Sequence, residues 1–125
     1  MTLNRLIKSF TRPAAADYSS GQYTLMVLDS DGKALQATTT TASFIGVLMN
    51  KPSAEDQAAE IAGPGSIVKV LSGDTIAEGD KITAEAGGKA LATTTSPNHY
   101  AGVALSPAGD GEYFEMMVSP GMVSS

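Results

Sequence analysis

Apolar and β-branched residues occur along this chain in short runs, and turn-forming residues separate the runs. Such runs are typical of β-strands, since branched side chains pack well on a pleated surface. Asp31-Gly32 and Gly87-Gly88 are strong hairpin signals, because these residues tolerate positive φ. Many short strands at even spacing predict a sandwich or a small barrel. The predicted strands are 23–29, 35–41, 43–49, 58–62, 66–71, 81–85, 91–95, 99–105 and 112–118.

The pattern repeats at an offset of 56 residues without a gap. Segments 32–67 and 88–123 share ten identities in 36 positions, where composition alone gives roughly two or three. The Gly-Lys-Ala-Leu run at 32–35 returns at 88–91, and Gly46-Val47 returns as Gly102-Val103. Two units of this length are too few for a solenoid, which needs about three. We therefore expect one all-β domain with an internal two-fold repeat, its units at about 21–71 and 79–125.

Details of the repeat give further expectations. Gly46 and Gly102 lie inside strands, which indicates a bulge or a close backbone approach. Pro64-Gly65 and Pro120-Gly121 are expected to end the strands before them. Residues 53–60 have a Ser N-cap, early acids and good helix formers, so a helical turn or two is an open alternative there. The repeat partner of this segment, 109–111, reads as a tight turn, and we expect the units to differ most at this connection.

Residues 1–20 differ from the rest and predict an N-terminal arm and linker before a single β domain at 21–125. Leu3, Leu6, Ile7 and Phe10 have helical spacing, yet a segment this short is marginal as an isolated helix. A docked, an extended and a disordered arm all remain open. Three of the eight basic residues lie in this arm, at Arg5, Lys8 and Arg12, and they also predict that it is no signal peptide.

Composition narrows the function. The chain has 125 residues, a formal net charge of −5 and no cysteine. The acidic balance argues against binding nucleic acid through a basic patch. The lack of cysteine excludes disulfides and thiolate metal sites, and no apolar run approaches the roughly 18 residues of a membrane span.

Candidate chemistry is weak throughout. His99 is the only histidine and has no partner with metal-ligand spacing. Residues 29–33 open like a calcium loop, but Thr40 stands where the loop needs a bidentate Glu. Residues 73–81 fail the phosphate-loop spacing. They look more like the Gly-Asp turns of biotinyl and lipoyl carrier domains, where Lys81 would be the modified residue. We predict a non-enzymatic protein without cofactor or metal.

The order of these segments resembles the head decoration (cement) proteins of tailed bacteriophages. The runs at 24–29, 32–35 and 45–48, followed by Gly65, look like the lambdoid decoration core. Those at 65–70, 77–81 and 102–104 are similar to a second set of phage decoration proteins. The resemblance implies a small β protein that binds the outside of an expanded capsid, commonly as a trimer, often with a docked N-terminal arm.

We therefore expect a virion protein, made in the host cytoplasm, that stabilises the mature head by bridging major capsid subunits. Its expected partners are the major capsid protein and copies of itself as a homotrimer, with neither nucleic acid nor membrane. The alternative is a carbohydrate- or receptor-binding β module of a virion fibre, tail or secreted protein, for which few aromatic platforms are available. An enzyme ranks third. The predicted capsid- or subunit-contact residues are Leu3, Arg5, Leu6, Ile7, Lys8, Phe10 and Arg12.

Overall fold

The computed structural model describes residues 9–38, 43–85, 87–94 and 99–122. This part of the chain contains ten β-strands and no helix. The strands form two antiparallel five-stranded sheets in a sandwich-like arrangement, so the all-β prediction is confirmed in its sandwich form. In chain order the strands are β1 (Ser9–Pro13), β2 (Leu25–Leu28), β3 (Ala34–Gln36), β4 (Phe44–Leu48), β5 (Ala58–Ala62), β6 (Ile67–Leu71), β7 (Lys81–Ala84), β8 (Ala90–Ala92), β9 (His99–Ala104) and β10 (Tyr113–Met122).

The two sheets have the same topology. Their strand orders are β1-β5-β4-β2-β3 and β6-β10-β9-β7-β8, so each strand of the first sheet has its counterpart five strands later. We call residues 9–62 the first unit and residues 67–122 the second unit. β1 is the counterpart of β6, and it pairs antiparallel with β5 from Ser9↔Ala62 to Pro13↔Ala58. Residues 9–13 of the predicted arm therefore lie in the first sheet.

The connection expected to differ most is the same turn in both units. Ala14, which follows β1, accepts a hydrogen bond from the N–H of Asp56 at 2.8 Å. Ser72, which follows β6, accepts the equivalent bond from Gly111 at 2.9 Å. Both donors have left-handed backbone, with φ of 72° and 82°. The same main-chain bonds thus fix the turn in both units, although the connection is one residue shorter in the second unit, where Gly111 lies 55 and not 56 residues after Asp56.

The helical alternative for residues 53–60 is also wrong. Residues 53–57 form a turn, and Ala58–Ala62 is β5. The Gln57 side chain accepts a hydrogen bond from the N–H of Ser53 at 2.7 Å, and this bond stabilises the turn. Pairing of β5 with β1 and β4 supplies more backbone bonds than a short helix would, so tertiary pairing overrides the local preference.

Pro120-Gly121 does not end its strand. β10 continues to Met122, with a register shift between Val118 and Gly121 in its pairing with β9. A bulge is one of the few places where a sheet accepts proline, because the ladder hydrogen bond is already missing there. The bulge also explains how a gapless sequence repeat fits the structure. Glu60 and Glu115, which accept equivalent bonds from Met49 and Leu105, are 55 residues apart, and the bulge restores the offset of 56.

The glycines inside β4 and β9 mark close backbone approaches, as predicted. A methyl group on Gly46 would overlap the carbonyl oxygen of Ala62, and one on Gly102 would overlap that of Met117. Each strand therefore lies against its neighbour more closely than any side chain at this position allows. The same device in both units keeps the two sheets alike.

The core is not shared equally between the units. One cluster, which includes Ala14, Tyr18 and Ile61, lies on the outer side of the first sheet, under the segment that follows β1. The larger cluster joins the other face of the first sheet to the second unit, and β4 packs across β9 and β10. The first sheet is therefore covered on both faces.

Candidate interaction surfaces

No group of three or more His, Asp or Glu side chains in the described part of the chain is arranged to hold a metal ion. His99 begins β9 and is half-buried. It lines a shallow cavity of about 260 Å³ with Phe44 and Pro120. Among the residues that the structure describes, that environment offers no second ligand for a metal. In the same described residues, no helix has the length and apolar character needed to cross a membrane.

The segment that opens like a calcium loop is a hairpin turn. Asp29 Oδ1 accepts hydrogen bonds from the backbone N–H groups of Asp31 at 2.9 Å and Lys33 at 2.8 Å. Gly32 has φ of 78°, as the predicted turn requires. The carboxylate that would ligate calcium is therefore engaged by its own turn.

The same hairpin is linked to the turn before β5. Lys33 Nζ lies 2.8 Å from Glu55 Oε2 and 2.9 Å from Asp56 Oδ1. The hydrogen bond to Glu55, which has the larger effect, and the hydrogen bond to Asp56 hold the pKa of Lys33 above its ordinary value. This exposed network joins the two turns of the first unit.

Lys81 is the first residue of β7 and does not lie at a hairpin tip. Its Nζ lies 5.3 Å from the centre of the Tyr100 ring, within the range of a cation–π contact. The preceding residue, Asp80, accepts a hydrogen bond from the N–H of Ala77 at 2.9 Å. These contacts stabilise the turn and its strand. They do not place Lys81 at a hairpin tip, where a carrier domain has its modified lysine.

Phe10 and Arg12 are the two predicted contact residues that lie within the described part of the chain. Both belong to β1, which is exposed along its length. Arg12 donates from Nε and Nη2 to the carbonyl oxygen of Gly32, at 2.9 and 2.8 Å. The guanidinium thus ties the edge strand to the β2–β3 turn. The other five predicted residues, Leu3, Arg5, Leu6, Ile7 and Lys8, lie outside the described residues.

A second exposed surface lies on β6 and β10 and was missed by the sequence prediction. Ile67 and Met117 are cross-strand partners and are 55% and 38% exposed. At the other end of the same pair of strands, Tyr113 meets Tyr23 edge to face at 5.7 Å. Lys69 Nζ lies within 6 Å of the centres of both rings. The run at 67–71 is apolar except for Lys69, so the sequence does not mark an outward face there, and only the structure shows which face is uncovered.

These features describe a small all-β protein whose exposed surfaces, among the described residues, include the β1 edge and the β6–β10 face. Residues 61–119 match the family model of the phage cement proteins. The matched segment extends from the end of β5 through most of β10 and thus covers essentially the second unit. The predicted resemblance to phage head decoration proteins is confirmed, and it rests on this segment, which is just under half of the chain.

The fold is similar to a solved phage structure over almost its whole length. It matches the N base of head fiber gp8.5 of bacteriophage phi29 with a TM-score of 0.65, covering 96% of this chain and 100% of that one. Sequence identity is 20%, so the likeness concerns the fold. No curated protein matches the chain significantly.

Proposed function

We propose that the protein decorates the outer surface of the mature phage head and stabilises it by bridging major capsid subunits. The observation that carries this proposal is the cement-protein match over the second unit. The described residues add two exposed regions that could make contacts, the β1 edge and the β6–β10 face.

The mechanism is linkage. A protein that binds only the expanded lattice lowers the free energy of that lattice and not of its precursor. Many copies acting on one shell make modest single contacts sufficient. Self-association as a homotrimer would raise the number of contacts that each bound particle makes.

The capsid anchor is proposed to be the basic N-terminal segment together with β1. Arg5 and Lys8 supply positive charge, whereas the chain as a whole carries −5. Within the described part of the chain β1 pairs only with β5, so its other edge is available for main-chain bonds to a partner strand. Phe10 and Arg12 would lie beside that contact.

The experiment is cosedimentation of the purified protein with expanded heads that lack it, with unexpanded heads as the comparison. Binding to expanded heads alone, with a higher temperature of capsid disruption, is the expected result. Equal binding to both shells, or no change in disruption temperature, would contradict the proposal. If the protein instead binds isolated host glycans and ignores heads, the receptor-binding alternative is correct.

Charge reversal tests the anchor. The double variant Arg5→Glu with Lys8→Glu should weaken head binding at least about tenfold, because several attractive contacts become repulsive. Lys51→Glu is the matched control, since Lys51 is exposed in a loop of the first unit. Equal loss in the control would show a general charge effect and not an anchor.

A further inference from the structure

One turn of the second unit contributes a specific contact between the two units. Gly88, in the β7–β8 turn, accepts a hydrogen bond from the N–H of Leu25 at 2.8 Å. A methyl group on Gly88 would lie 2.7 Å from Gln36 Cγ and 3.0 Å from Thr24 Cβ. The turn is therefore seated in a cleft of the first unit, at the start of β2.

The reciprocal contact is not made within the described part of the chain. The counterpart turn of the first unit contains Gly32, whose carbonyl oxygen instead accepts bonds from Arg12 of the same unit. The counterpart cleft of the second unit is open, with a volume of about 310 Å³, and its lining includes Lys81 and Thr94. If a two-fold axis related the two units, each turn would lie in the cleft of the other unit, or neither turn would. The units are therefore packed head to tail.

Burial follows the same asymmetry on the face beside each cleft. In the first unit, this face is covered by the second unit and belongs to the larger core cluster. In the second unit, the counterpart face is buried at Thr83 and Thr93 but is less covered at its other described residues. The first-unit residues Leu25, Val47 and Ala62 are at most 1% exposed, whereas their counterparts are the exposed Lys81, the half-buried Val103 and the 38% exposed Met117.

The opposite end of each unit shows the reverse difference. Ala84 and Ala101 of the second unit are at most 1% exposed. They belong to the larger core cluster, which also contains the covered face of the first unit. Their first-unit counterparts are larger and less covered: Leu28 is 47% exposed and Ile45 is half-buried. The apolar residues at this end of the first unit are therefore more exposed than their counterparts in the second unit, which the first unit covers.

We propose that a second copy of this chain supplies the missing cover, so that copies associate head to tail. The trailing face, which is the cleft of the second unit with Val103 and Met117, docks on the leading face of the next copy, which is Leu28, Ile45 and the turn at Gly32. A second copy fits these faces because each exposed face has the same backbone as a face that is already buried in the contact inside the chain. Exposed Asp31 of the leading turn also complements Lys81 of the open cleft.

Two substitutions make the contact between chains weaker than the contact within one. The N–H of Leu71 donates to the carbonyl oxygen of Tyr23 at 2.9 Å, but the counterpart of Leu71 is Pro13, which has no N–H to give. Lys81 replaces the buried Leu25. A more polar face with one hydrogen bond fewer suits a partner that folds separately and then associates.

The inference names the faces for the self-association in the proposed function. Its experiment uses the isolated protein without capsids, so failure of one proposal is distinguishable from failure of the other. The wild-type chain should show a native mass that is a multiple of 12.8 kDa. Leu28→Glu and Met117→Glu should each weaken self-association at least about tenfold and give monomers. Ala54→Glu, at an exposed turn outside both faces, should leave the assembly unchanged.

Mixing the two variants is the decisive measurement. Each variant retains one intact face, so an equimolar mixture should form a heterodimer and nothing larger. Circular dichroism and thermal melting establish that each variant is folded, and Ile45→Lys with Val103→Lys provides a second pair. A monomeric wild type, variants that keep the wild-type mass, or a mixture that stays monomeric would each overturn the proposal.

Discussion

Asp56 and Gly111 occupy the same left-handed position in two copies of one turn, with φ of 72° and 82°. Each donates its backbone N–H to the residue that follows the first strand of its unit. Tyr23 and Gly79 form a second such pair, with φ of 70° and 89°. Glycine adopts this backbone at little cost, whereas other L-residues are strained there. The first unit thus bears strain at both positions that the second unit avoids.

Gly111→Ala should therefore lower the free energy of unfolding by about 1–2 kcal/mol. The added methyl group would meet nothing within 4 Å, so the cost comes from the backbone alone. Asp56→Gly should not destabilise the protein, because relief of strain offsets the lost exposed contact to Lys33. Urea unfolding measures both, with Gly109→Ala, which has no positive φ, as the control. If the two alanine variants were equally stable, backbone strain would not explain the turn.

Gly102→Ala should destabilise the protein by about 3 kcal/mol or more, because its methyl group would overlap a backbone oxygen that cannot move without breaking the β9–β10 ladder. Gly65→Ala is the control. Its methyl group would lie in open space, and only its φ of 93° is unfavourable. Thermal unfolding should show the larger loss for Gly102→Ala, and equal losses would contradict the close approach.

Thr83→Val should stabilise the protein by about 1 kcal/mol, because the buried Thr83 hydroxyl has no hydrogen-bond partner among the described residues. The first unit already has Val27 at this position. Thr24→Val is the matched control, since Thr24 is equally buried but its hydroxyl donates to the carbonyl oxygen of Gly21. That variant should be destabilised by about 1 kcal/mol. Loss of stability in Thr83→Val would show that its hydroxyl is satisfied.

The Lys33 network should affect stability at alkaline pH. The pKa of Lys33 is raised in the folded state, so its contribution is fully present below the ordinary value of 10.5 and is lost as pH rises through the folded value. Lys33→Gln should remove this alkaline loss and show little effect in high salt, which screens exposed pairs. Chemical unfolding across pH measures this, with Lys89→Gln, the counterpart in the second unit, as control. An unchanged alkaline limb in Lys33→Gln would assign the loss to other groups.

The sequence by itself determined the local structure. Turn chemistry at Asp31-Gly32 and Gly87-Gly88 and the repeat offset predicted the hairpins and most of the strands, because such signals act over a few residues. They also predicted the close approaches at Gly46 and Gly102. The family resemblance followed from similar short runs. Those at 65–70, 77–81 and 102–104 lie within the segment that the family model matches, and those at 24–29, 32–35 and 45–48 lie outside it.

Only the tertiary structure decided which strands pair and which faces are covered. β1 pairs with β5 across a separation of some fifty residues, and a terminal run with helical spacing carries no sign of that partner. Nor does a repeat reveal its packing symmetry, because two-fold and head-to-tail arrangements use the same local sequence. The choice depends on side chains that occupy equivalent positions of the two units and lie far apart in the chain. Leu25 corresponds to Lys81, and Leu28 corresponds to Ala84. Burial of apolar area between whole units is a non-local, non-directional effect. The packing of the units is therefore determined by the tertiary structure and not by any local sequence signal.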